Sequence, residues 1–298
     1  MAFSRFSSMK PDMDALQDEF TKYLIIARER GTASQEAAKS GAMAKIADLK
    51  QRVQDKIDTI RGLEKLRPEE YEAVAKFMQQ VKDLREQPPP PPLKRPEGLE
   101  LNLIGVALFS GDELVSKTIR RVTKSKYSHV ALLLHDVTKD PTDIDGWYVY
   151  SANGSASQIM ADRRLPQVQL EKWTETIAAY EGAVVTRLLN FESESVPSPT
   201  GITELVDKYI GLPYENQLLI MLKAMNRSNV ENERSADSAF CSEICYRFLA
   251  AANVLEDTEV PENVWPKDFG DEGHRLKLIG ATWAEVVLIK GKLPTAPA

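Results

Sequence analysis

Five consecutive prolines, Pro88–Pro92, set the first limit on how this chain can fold. Each proline fixes φ at about −65° and lacks an N–H, so the run can enter neither a helix interior nor a central paired strand. It is expected as extended polyproline II, a semi-rigid spacer; ligand for a proline-reading domain is the other use of such a run. The chain is thereby divided into an N-terminal part, 1–87, a proline-rich linker, 88–98, and a C-terminal part, 99–290.

The N-terminal part is rich in Ala, Lys, Glu, Gln and Arg and poor in aromatics, a helix-forming composition. Ile46, Leu49, Val53, Ile57, Ile60 and Leu63 recur at three- and four-residue steps, which is one apolar stripe of a helix. Pro68, Glu69 and Glu70 suit a helix start, because proline fits the first turn and acids favour the positive dipole end. Three helices are expected, near 11–30, 34–65 and 68–86. They form a helical arm or small bundle, able to dock on a protein assembly.

Beyond the linker the texture changes to short apolar runs between turns. LNLIGVALFS, HVALLLHD, GWYVYSA, AVVTRLLNF and WAEVVLIKG read as strands. Helices are expected at 112–123, 167–180, 201–211, 214–225 and 241–253. Strands and helices that do not alternate regularly indicate an α+β fold class.

Composition narrows the function. A net charge of −6 over 298 residues gives no general attraction for nucleic acid or an anionic membrane surface. No run reaches the roughly 18 apolar residues of a membrane span. The opening MAFSRFSSMKPDMD lacks the apolar core of a secretory signal. Two cysteines four residues apart give no disulfide framework, so a reducing compartment, the cytoplasm, is expected. The arm adds the alternative of association with a cytoskeletal or filamentous assembly.

The chemistry-bearing residues are few. Cys241 follows a polar loop and opens an amphipathic helix, where the helix dipole would lower a thiol pKa; Cys245, one turn on, reads as core. Of three histidines, His129 begins a strand, His135 ends it as a surface or loop residue, and His274 stands in a charged turn. Zinc held by Cys241, Cys245 and His129 is a poor pattern without a second cysteine pair. No metal or cofactor is therefore expected. The basic run Arg120, Arg121, Lys124 and Lys126 reads as a solvated helix face, or as an attractor for an anionic substrate.

Gly111-Asp112, Ser128-His129, Gly211 to Tyr214 and Cys241-Ser242-Glu243, in that order, resemble the permuted NlpC/P60 superfamily, the YiiX/YaeF-like papain-type amidases. Trp265-Pro266-Lys267-Asp268-Phe269 resembles the segment that follows the Cys helix there, and the likeness covers about 101–285. The resemblance implies a permuted papain-like domain with a small antiparallel sheet. Cys241 would be the nucleophile and His129 its base, acting on a peptide or other amide substrate. The family's orienting residue, often Glu, falls at Ser151, a departure; Asn153 is the alternative orienter. Tyr127 and Tyr214 would wall the cleft or serve as ordinary packing. The competing reading is a structural or scaffold protein, whose papain-like domain has low or no activity.

Overall fold

Leu101–Gly111 and His129–Asp136 are apolar almost throughout, and in the structure both are central strands buried on two faces. The computed structural model describes residues 67–70, 72, 73, 76, 79, 94–153, 167–213, 240–259, 261, 264–271 and 275–295. In chain order these carry β1 (Leu101–Gly111), α1 (Leu114–Thr123), β2 (His129–Asp136), β3 (Trp147–Asn153), β4 (Gln167–Lys172) and α2 (Trp173–Ala179). β5 (Gly182–Phe191), α3 (Pro199–Tyr209), α4 (Cys241–Ala251) and β6 (Ala281–Lys290) follow. The fold is α+β, with one six-stranded sheet in the order β4-β3-β2-β1-β5-β6 and every neighbouring pair antiparallel.

Strand alternation gives the sheet two apolar faces. Val106, Leu108, Val130, Leu132, Leu134, Tyr150 and Val185 form one, covered by Ile202 and Val206 of α3 and by Ile244, Cys245, Phe248 and Leu249 of α4. Ala107, Phe109, Ala131, Leu133, Val149 and Val184 form the other, with Trp173 and Ile177 of α2 upon it. Each large side chain on these faces contributes roughly 1.5–3 kcal/mol by leaving water. Tyr150 lies against Phe248, with ring centroids 5.5 Å apart, and its hydroxyl donates to the Val206 carbonyl. This contact fixes α3 and α4 on one side of β3.

One expected helix is corrected. Residues 167–180 divide into a strand, Gln167–Lys172, and a short helix, Trp173–Ala179. QVQLEK alternates with period two, and its pairing with β3, Ser151↔Gln169 among others, outweighs the helix propensity of Gln, Glu and Lys. The expected helices near 11–30, 34–65 and 214–225, and the run Pro88–Pro92, lie outside the described residues. Of the helix expected at 68–86, residues 68–70, 72, 73, 76 and 79 are helical. Glu70 is buried, and Arg121 of α1 pairs with it at 2.5 Å, so Arg121 is an ion-pair partner rather than part of a freely solvated face.

Gly105 sits where β1 shifts register against β2 and is flanked by β5. A Cβ there would stand 2.5 Å from the Arg187 carbonyl oxygen and 2.7 Å from Leu188 Cα. Gly105→Val should therefore push β1 and β5 apart and lower unfolding stability by roughly 1–3 kcal/mol, read by urea denaturation. An unchanged midpoint would show that the strands have room to part.

Candidate functional site

α4 begins with an unusual cap. The N-cap residue is Phe240, which offers no side-chain acceptor to the first amides of the helix. Half of a capping box is present, because the Phe240 N–H donates to Glu243 Oε2 at 3.4 Å. Glu243 is buried and also pairs with Arg247 one turn on. The amides of Cys241 and Ser242 lie close enough to the Cys241 sulfur to favour its thiolate.

Val130, the residue after His129, also lies beside that sulfur, its backbone favouring the thiolate. Cys245 continues the contact along β2, its thiol donating to the Val130 carbonyl at 3.8 Å. β2 pairs with β3 from Leu132↔Tyr150 to His135↔Trp147, so the sulfur contact falls before the paired stretch. The fold thus brings Cys241 to the peptide that joins His129 to Val130.

The His129 ring packs toward the other face of the strand, away from the cluster that holds Cys241. His129 stands opposite Phe109 in the β1–β2 register, and the two rings are 5.4 Å apart. Phe109 belongs to the apolar face shared with Ala131 and Leu133, whereas Cys241 clusters with Val130 and Leu132. Phe109 also meets Tyr180 edge-on at 4.9 Å. Ser128 fixes the approach to β2: its N–H and O–H both donate to the Phe109 carbonyl, and its oxygen accepts the Gly111 N–H.

Burial dominates the electrostatics. It pushes the Cys241 thiol up to about 11, more than the three N–H groups pull it down. The dipole-lowered thiol expected from the helix start is therefore corrected, because desolvation of the thiolate is the larger effect. Burial also takes His129 down to about 4, and no acidic side chain offsets it. The resting site holds a neutral thiol and a neutral imidazole. Cys245 is likewise raised by burial and is core.

The remaining expected positions are distributed as follows. Ser151 is buried and stands opposite Gln169 in the β3–β4 register. Asn153 ends β3 opposite Gln167, and its side chain lies outside the described set. His135, expected at the surface, is buried, with its Nε2 3.1 Å from the Asp140 carbonyl oxygen. Arg120 is buried too, donating to Ser110 Oγ at 2.8 Å and to the Gly111 carbonyl, so it is not a solvated base. Tyr127 is fully buried packing rather than an open wall, its hydroxyl on Asp271 at 3.0 Å. Gly270 touches the same ring: a Cβ there would stand 2.5 Å from Tyr127 Cε2. Tyr214 and His274 lie outside the described residues. Among the described residues no cluster of three or more His, Cys, Asp or Glu could hold a metal ion.

Sequence reasoning missed two supports. The Val130 amide has no signature in a single sequence, because its role arises from tertiary packing. Ser242 does have one: a small hydroxyl residue inside an otherwise apolar first turn. Its buried O–H donates to the Val264 carbonyl at 2.6 Å, tying α4 to the 3-10 turn Pro266–Phe269. Asp268 closes that turn by accepting the Trp265 N–H at 2.7 Å. No known protein-family model matches the chain, and no curated protein sequence matches it.

Two measurements check this electrostatic picture. In a Cys245→Ala background, the iodoacetamide rate at Cys241 should rise about tenfold per pH unit from neutrality and level only near pH 11. A plateau below pH 9 would mean that the site stabilises thiolate. For His129 the folded value lies below the ordinary 6.5, so its contribution is present above 6.5 and lost as pH falls through about 4. Wild type should lose up to about 3 kcal/mol more than His129→Leu between pH 7 and pH 4. Carboxylates common to both proteins cancel in that comparison of urea unfolding curves.

Proposed function

We propose that the α+β unit is a thiol hydrolase of the permuted papain-like, NlpC/P60 kind, acting on an amide bond, with Cys241 as nucleophile and His129 as base. The observation that carries this reading is the placement of Cys241 at a helix start, packed beside Val130, the residue that follows His129. The order Ser128-His129 before Cys241-Ser242-Glu243 accords with it. The chemistry runs from the neutral pair. The His129 ring rests against Phe109, so it must turn toward the sulfur as substrate binds. Sγ then bonds to the carbonyl carbon as its proton passes to the imidazole, and the carbonyl becomes an oxyanion near the helix start. The C–N bond then breaks as His129 returns the proton to the leaving nitrogen. Water, deprotonated by His129, releases the acid from the thioester and restores the thiol.

A peptide or related amide is the proposed substrate class. Among the described residues no helix is long and apolar enough to cross a membrane. Ser151 or Asn153 would orient the imidazole, in place of a carboxylate. That substitution, together with the resting protonation states, implies a slow enzyme.

The same protonation states favour a second reading, a scaffold protein that retains the fold with little activity while residues 1–87 dock it on an assembly. A peptidyl acyloxymethyl ketone separates the two. Under the hydrolase reading it labels wild type and Cys245→Ala at pH 7, fails on Cys241→Ala, and reacts at least tenfold more slowly with His129→Ala. Equal rates for wild type and His129→Ala, or labelling confined to Cys245, would leave the scaffold.

A further inference from the structure

The two edges of the sheet are finished differently. β4 carries Gln167, Gln169, Glu171 and Lys172, and its outer side is partly occupied: the Val168 N–H donates to the Leu212 carbonyl at 2.7 Å and the Gly211 N–H to the Val168 carbonyl at 2.9 Å. β6 has β5 on its inner side and, among the described residues, no strand on its outer side. There Val287, Leu288 and Ile289 are 54%, 51% and 43% exposed, three consecutive apolar residues on an edge. Leu288 stands opposite Val185 and Val287 opposite Thr186, so the exposed apolar surface spans both faces of the sheet. Natural edges are usually blunted by lysine, proline or shortness, and this run has none of these.

Charge selects the occupant. Exposed Glu285 precedes the apolar run and exposed Lys292 follows it. Lys290 is already committed, its Nζ donating to the carbonyls of Ile177, Ala178 and Tyr180 at the end of α2. A second β6 running antiparallel sets the acidic end of each copy against the basic end of the other. A parallel arrangement would set like against like. Antiparallel self-pairing about a twofold axis also closes after two subunits.

We propose that β6 pairs antiparallel with β6 of a second copy of this chain, giving a dimer with one continuous sheet. Sedimentation of the full chain across a roughly hundredfold concentration range should show a reversible monomer–dimer equilibrium. Leu288→Lys should remain monomeric throughout, with unchanged circular dichroism and an unchanged pH profile of Cys241 alkylation. Glu285→Lys should weaken dimerisation several-fold, and adding Lys292→Glu should restore it. A wild type that stays monomeric at the highest concentration overturns the proposal. So does a dimer untouched by Leu288→Lys, an open-ended aggregate in place of a dimer, or failure of the charge swap to restore association.

Discussion

An α-helix leaves its first amides without partners, and at α4 the residue placed to cap them is Phe240, which cannot. The sulfur of Cys241 lies beside those amides and beside Val130 of the sheet. A side chain that reads as an isolated thiol is thus the knot between a helix start and a strand start. Cys245, Ile244, Phe248 and Leu249 hold the rest of α4 on the sheet. Ser242 anchors it from behind through Val264. The helix can neither rotate nor slide along β2 without breaking contacts at both ends of this arrangement.

Burial and dipole compete at Cys241, and the magnitudes decide. A helix terminus is worth roughly 0.3–1 kcal/mol to a favourable charge at the surface, whereas full desolvation can move a pKa by several units. The thiol ends at about 11 and the imidazole at about 4, both shifts removing charge. A stable ion pair would require an acid beside His129, and Phe109 is the ring neighbour that the fold provides.

Much of the fold was legible because it is written in local pattern. β1, β2, β3, β5 and β6 announce themselves as Val-, Leu- and aromatic-rich runs, and α1, α3 and α4 as periodic segments after turns. β4 was not, because Gln, Glu and Lys favour a helix, and the register with β3 that overrides them is non-local. At the site, residue types and order singled out Cys241 and His129. Their protonation could not be read the same way, since desolvation depends on neighbours contributed by distant segments. His135 shows the same blindness: beside Asp136 it looks solvated, yet the turn carrying Asp140 covers it.

Gly270 carries a lesson about sequence drift. Its missing side chain is the space into which the Tyr127 ring fits, and Tyr127 stands two residues before His129. Any larger residue at 270 must displace that ring, and with it the bend that delivers the imidazole. A glycine remote in the chain from both Cys241 and His129 therefore limits which descendants of this sequence can keep the geometry, although it touches neither side chain.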